Sequence, residues 1–164
     1  ASDGSNLAAV FATLAHIRQD TADLDAVIDQ AFPGARLVVP QPDRTASFGM
    51  SFPDFPRRVF EAAELSDGTL KFLALAGALM AYRLPAFVAL NEPESSLHPA
   101  LMKPLARLVG QAADRSQVWL VTHSEALAAE IAATTVGSVR TVTKTDGATT
   151  IKGLTRLGTF REDD

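Results

Sequence analysis

Three polar stretches interrupt the apolar patterning of this chain at places where chemistry could be done. The first is Glu92, in Phe87-Val88-Ala89-Leu90-Asn91-Glu92-Pro93-Glu94, an apolar run that breaks abruptly into an amide and a carboxylate. The second is His123, which follows Gln117-Val118-Trp119-Leu120-Val121 by way of Thr122. The third is Ser66-Asp67-Gly68-Thr69, just ahead of a long apolar stretch. A carboxylate at a strand end can orient and deprotonate water, and a histidine there can contact a terminal phosphate or the attacking water. A helix that opens on a serine cap and a glycine offers N–H groups and the positive end of its dipole to an anion. Each stretch taken alone has a plain structural reading; their order and spacing carry the information.

The elements that would hold these groups can be read from the patterning. The runs 86–91 and 117–121 read as buried strands, because parallel strands covered on both faces are continuously apolar. Between them Leu101, Leu105, Leu108, Val109 and Ala112 recur at helical spacing to about Ala113, with Pro104 either kinking this helix or marking its first turn. Strand, helix, strand is a βαβ unit, so the strands are expected to be parallel and to bring Glu92 and His123 to one rim. Leu70 to Tyr82 is too long for a strand and reads as a buried helix capped by Ser66; Ser124 caps another helix to about Ala132.

The flanks are plainer. Residues 5–19 read as a helix capped by Ser5, with Leu7, Val10, Phe11, Leu14 and Ile17 on one face. Asp23 caps a second, with Leu24, Val27, Ile28 and Ala31 inward, stopped by Phe32-Pro33-Gly34. Leu37-Val38-Val39 and Ala46 to Phe52 read as an antiparallel pair at a sheet edge, where the intervening prolines are tolerated. Ser138–Lys144 and Ala148–Leu154 flank Asp146-Gly147, a hairpin signal, and the last ten residues read as a frayed end.

Composition sets the bounds. With 164 residues, 47% hydrophobic and 21% charged, the chain suits one globular domain that buries roughly 70% of its unfolded surface. A net charge of -4 without a basic stripe argues against a nucleic-acid coat. The absence of cysteine excludes disulfides and thiolate metal sites. No signal-peptide pattern and no apolar run of about 18 residues occurs, so a cytoplasmic protein without membrane partners is expected. The opening Ala1-Ser2-Asp3-Gly4-Ser5 lacks a methionine, and a fragment of a longer parent is expected.

Over residues 64–125 the chain resembles the ABC-type ATPase superfamily. Leu65-Ser66-Asp67-Gly68-Thr69 is similar to its signature motif, Phe87 to Glu92 to its Walker B strand with the catalytic glutamate, Ser95-Ser96-Leu97-His98 to its D-loop, and His123 to its switch histidine. Glu92-Pro93-Glu94 followed by Leu97-His98-Pro99 resembles the RecF/SMC-like and OLD-like branch, often labelled AAA-type predicted ATPases, whose members act in DNA repair, chromosome maintenance and phage defence.

The resemblance implies an α/β P-loop NTPase-like lobe: a parallel core flanked by helices, with antiparallel edge strands and a carboxyl-terminal hairpin. It divides the single domain into a helical and edge-strand part (1–64), a motif-bearing core (65–133), and a hairpin and tail (134–164). It implies ATP and Mg²⁺ as cofactors. Glu92 would polarise water and His123 would sense the γ-phosphate. Ser66, Asp67, Gly68 and Thr69 would bind ATP held by a second subunit of a head-to-tail homodimer, with Ser96 and His98 along the interface. Asn91 would stand near the metal. DNA is a further partner the resemblance allows.

Three departures qualify this. No G-x-x-x-x-G-K-[ST] is present, so the phosphate cradle is expected upstream in the parent, and these residues by themselves are expected to be inactive. Asn91 replaces an aspartate, a neutral ligand that holds Mg²⁺ more weakly. Asp67 replaces a glycine, favouring the helix start but placing negative charge near a phosphate. The alternatives are a slow-turnover ATP-gated clamp, or a transporter subunit, against which the apolar signature helix and the Leu-His-Pro ending argue.

Overall fold

The computed structural model describes residues 6–19, 21–145 and 147–152. Helix α1 (Leu7–Ala12) follows Asn6, which makes no side-chain cap; the expected cap Ser5 lies outside the described residues. Leu7, Phe11 and Leu14 are buried as their spacing predicts, but Ile17 is 76% exposed. The reason is a change of pitch: Thr13–Arg18 continues α1 as a π-helix, whose wider turn rotates Ile17 off the buried stripe. Gln19, at φ 54°, ends it.

Helix α2 (Ala22–Ala31) is preceded by Thr21 and not capped by Asp23, which lies inside its first turn, where its charge complements the dipole. Thr21 Oγ1 instead donates to Asp25 Oδ2 at 2.8 Å. The expected stop at Phe32-Pro33-Gly34 is present, with Gly34 at φ 75°. Leu24, Val27 and Ile28 point into the core.

The antiparallel strands β1 (Arg36–Val38) and β2 (Gly49–Ser51) gain a third partner that the patterning did not reveal, β3 (Val59–Glu61). Together they form a sheet of order β1-β2-β3. Met50, fully buried, sits in register with Leu37 and Phe60, so this row is the inner face.

Helix α3 (Asp67–Leu79) is the centre of the core, burying Phe72, Leu73, Ala76, Gly77 and Leu79; it ends three residues before Tyr82. Helix α4 (Met102–Ala113) packs on it, with Leu105 and Leu108 fully buried. Each such large side chain contributes about 1.5–3 kcal/mol on burial. Pro104 lies in the first turn of α4, the second of the two expected placements, where a helical N–H has no intrahelical acceptor.

Strands β4 (Phe87–Asn91) and β5 (Gln117–Val121) flank α4 in sequence and pair in parallel, with Asn91 opposite Val121. The expected βαβ unit is therefore present. The expectation of strands buried on both faces is not met: exposure alternates along each. Val88, Leu90, Val118 and Leu120 pack on the core, whereas Phe87 and Trp119 are 50% and 63% exposed. Among the described residues, helices cover only the inner face of this pair. Helix α5 (Glu125–Thr134) packs on α4 and buries Leu127. The predicted hairpin forms from β6 (Val142–Thr145) and β7 (Ala148–Ile151), shorter than expected, with Gly147 at φ 82°. The expected frayed end lies outside the described residues.

Candidate functional site at the rim of the parallel strands

Glu92 leaves β4 by extending the ladder one bond further, its N–H donating to Val121 O at 2.8 Å. The backbone then turns sharply: Glu92 has φ 45°, a left-handed conformation that costs a non-glycine residue roughly 1–2 kcal/mol and must be held by its surroundings. Its carboxylate reaches across the rim, where Oε1 lies 3.3 Å from Nε2 of His123. Both side chains remain open to solvent, so both are accessible to a ligand.

The loop after Glu92 is closed by its own turn bonds. Ser95 N–H donates to Glu92 O at 3.1 Å and Leu97 N–H to Glu94 O at 2.9 Å. Ser96, at φ 65°, is its second left-handed residue. Two outside contacts fix this loop. Oε1 of Glu94 accepts from Thr122 Oγ1, which in turn accepts from Ser124 N–H at 2.9 Å; Glu94 Oε2 is buried and meets no protein donor. On the other side, Lys71 Nζ donates to Ser95 O and Oγ at 2.5 and 2.6 Å.

The amino end of α3 borders a cleft of about 420 Å³. Its walls include Ser66, Gly68, Thr69, Ser96 and His98, together with Ala31 and Phe32 from the end of α2. Ser66 is the expected cap: Oγ accepts from Thr69 N–H at 3.2 Å and lies 2.9 Å from Thr69 Oγ1. The N–H groups of Asp67 and Gly68 belong to the first turn, which has no intrahelical acceptors. His98 Nδ1 accepts from Ala100 N–H at 3.2 Å, capping a short 3₁₀ turn and leaving Nε2 available. The geometry thus groups five predicted residues in the cleft and two, Glu92 and His123, at the rim. Asp67 is exposed and outside the cleft wall, and Asn91 is exposed at the end of β4.

Sequence reasoning passed over Lys71, the supporting roles of Glu94 and Thr122, and the α2 wall. Lys71 carried a signal, being the one cation in α3 and standing within its apolar run from Leu70 to Leu79. The wall carried none, since it depends on how α2 packs. Just upstream of the cleft, Glu64 closes a reciprocal cap with Glu61, accepting from Glu61 N–H at 2.9 Å and pairing with Arg58. The Glu61 N–H, then Arg58, hold the Glu64 carboxyl below its ordinary range. For a divalent cation, Asn91 and Glu92 supply one amide and one carboxylate, and no group of three acidic, histidine or cysteine side chains gathers among the described residues. Mg²⁺ tolerates such a sparse protein contribution where phosphates and waters complete its shell.

Residues 13–129 match the protein family described as "AAA domain, putative AbiEii toxin, Type IV TA system". The chain belongs to this family. No curated protein sequence matches the chain. Among solved structures, this AAA domain resembles a chain from work on the ATP-driven dimerisation and DNA-stimulated activation of SMC ATPases, with TM-score 0.60 and 19% identity, covering 84% of each chain. It resembles the Smc head domain with an extended coiled coil of Pyrococcus furiosus, bound to the C-terminal domain of ScpA (TM-score 0.63, 15% identity), over 84% of this chain and 35% of that one. The SMC head domain of Thermotoga maritima matches at TM-score 0.57 and 18% identity, over 88% of this chain and 51% of that one. The AAA domain thus spans most of the first of these chains and about a third to a half of the other two. The fold it shares with these SMC head domains is that of a P-loop NTPase.

Proposed function

We propose that this chain is the signature-bearing lobe of an ATPase that hydrolyses ATP to ADP and phosphate within a head-to-tail dimer. The observation that carries this reading is the approach of His123 Nε2 to within 3.3 Å of Glu92 Oε1, at the end of two parallel strands. Glu92 orients a water and takes its proton as the water oxygen attacks the γ-phosphorus. His123 donates a hydrogen bond to a γ-phosphate oxygen as charge builds there. The cleft at Ser66 and Gly68 receives the γ-phosphate of ATP held by the second subunit, on the amino end of α3. Mg²⁺, when bound, would neutralise phosphate charge, with Asn91 offering a neutral oxygen to its hydration shell.

The open face of β4 and β5 supports a further part of the reading. Parallel sheets are covered on both faces in nearly all proteins. The lobe carrying the Walker A phosphate cradle, upstream in the parent, is the layer proposed to cover Phe87, Trp119 and Val121, which are 50%, 63% and 43% exposed. Residues 1–164 then form one lobe of one domain. Action on DNA, in repair or phage defence, rests on family likeness alone. It predicts that duplex DNA raises the turnover of the full-length protein.

The test is Glu92→Gln in the full-length parent. Hydrolysis should fall by at least about 10²-fold while ATP-dependent dimerisation persists. Turnover that survives the substitution would remove Glu92 from the mechanism. Asn91 favours a second reading, an ATP-gated clamp that dimerises but hardly turns over. In that case Asn91→Asp should raise phosphate release.

A further inference from the structure

We propose that Lys71 is a positioning residue that locks the Glu92 loop to α3, so that the rim carboxylate and the phosphate cleft move as one unit. The proposal rests on the ATPase reading above and assigns a role to a residue outside its motifs.

The contact is dense for so short a segment. Lys71 Nζ donates to both Ser95 O and Ser95 Oγ, at 2.5 and 2.6 Å. Gly68 stands three residues earlier, on the same face of α3. A Cβ placed there would lie 3.3 Å from Ser96 O. The first turn of α3 therefore rests directly on the backbone carbonyls of Ser95 and Ser96, and Lys71 fastens it. The ammonium is a charged donor to both oxygens, which makes these bonds stronger than neutral ones.

The loop needs fastening. Glu92 and Ser96 both hold left-handed backbone, at φ 45° and 65°, and such conformations persist only where surroundings over-determine them. Thr122 on Glu94 secures one side of the loop and Lys71 the other. Ser96 belongs to the cleft wall, whereas Glu92 belongs to the rim. A γ-phosphate entering the cleft therefore meets a backbone that ends, four residues earlier, at the water-orienting carboxylate. Lys71 touches neither phosphate nor water; it acts through this backbone.

The experiment compares wild type, Lys71→Met, Lys71→Arg, Ser95→Ala and Glu92→Gln in the full-length ATPase, by steady-state phosphate release and by binding of a fluorescent ATP analogue. Misplacing a catalytic group by about 1 Å can cost about 10²-fold. Lys71→Met should lower kcat about tenfold to a hundredfold, with KM and analogue binding within about twofold. Lys71→Arg should recover much of this, and Ser95→Ala, which keeps the carbonyl acceptor, should fall between. Wild-type kcat in Lys71→Met overturns the proposal, as does a loss confined to KM. Should Lys71→Met fail to fold, wild-type kcat in Ser95→Ala does the same. If Glu92→Gln hydrolyses ATP like wild type, the ATPase reading itself fails and this proposal falls with it. An inactive Glu92→Gln beside a fully active Lys71→Met rejects Lys71 alone.

Discussion

His123 Nε2 lies 3.3 Å from Glu92 Oε1 because the strands that deliver them run parallel, with Asn91 facing Val121 as their last pair. Antiparallel pairing would have put the two groups at opposite ends of the sheet. The relationship is thus a product of the βαβ connection, in which α4 carries the chain back to start β5 beside the start of β4.

Removing the imidazole should therefore damage the chemistry more than the fold. His123 is 85% exposed and buries little on folding. If the proposed ATPase reading holds, His123→Ala is expected to lower kcat by about 10²-fold, with thermal stability changed by less than about 0.5 kcal/mol. Steady-state kinetics beside a melting curve check both halves.

Ser66 combines two duties that substitutions can separate. Ser66→Ala removes the cap on Thr69 N–H and should cost about 1 kcal/mol, seen as a drop in Tm of about 2–4 °C. Ser66→Asp restores a good cap but sets a negative charge against the proposed phosphate. It should melt like wild type yet fail to dimerise with ATP, as sedimentation would show.

Two glycines should respond differently to alanine. At Gly49 the new Cβ would sit 2.4 Å from the backbone oxygen of Phe60, so β2 and β3 must part; a loss of about 1–3 kcal/mol is expected. At Gly77 the nearest atom, 2.5 Å away, is the tip of Leu7, which can swing aside. The helix-propensity gain of about 0.8–1 kcal/mol offsets that movement, and Gly77→Ala should be near neutral. Urea denaturation of both variants decides.

Glu64 sets part of the acid limb of stability. Its folded pKa lies below the unfolded value, so the charged form is preferred in the native state. The stabilisation is therefore present above the unfolded value, about 4.3, and is lost as pH falls through the lower folded one. Glu64→Gln should flatten that part of the profile in denaturation experiments, and Arg58→Met should weaken it by a smaller margin, since the Glu61 N–H is the larger cause.

The βαβ core was legible because its signals are local: an apolar run of strand length, a helical repeat, then a second run. The cap at Ser66 was legible for the same reason, since a serine oxygen reaches only a few residues ahead. Strand β3 was not, because Val59-Phe60-Glu61 is too short to show a period and follows Pro53 and Pro56. Ile17 misled because apolar spacing assumes 3.6 residues per turn, and a π-helix does not keep it. In the site, the meeting of Glu92 with His123 followed from topology. Lys71 with Ser95, Glu94 with Thr122, and Phe32 in the cleft wall are contacts between distant segments, set by packing that no local pattern encodes.

The half-covered sheet has an optical consequence. Trp119 is the only tryptophan of the chain, and it stands 63% exposed on the outer face of β5. Indole emission shifts to shorter wavelength when water is replaced by apolar neighbours. Any layer that settles on this face changes the colour of the chain's single indole, and motion of that layer would be read in real time without an added label.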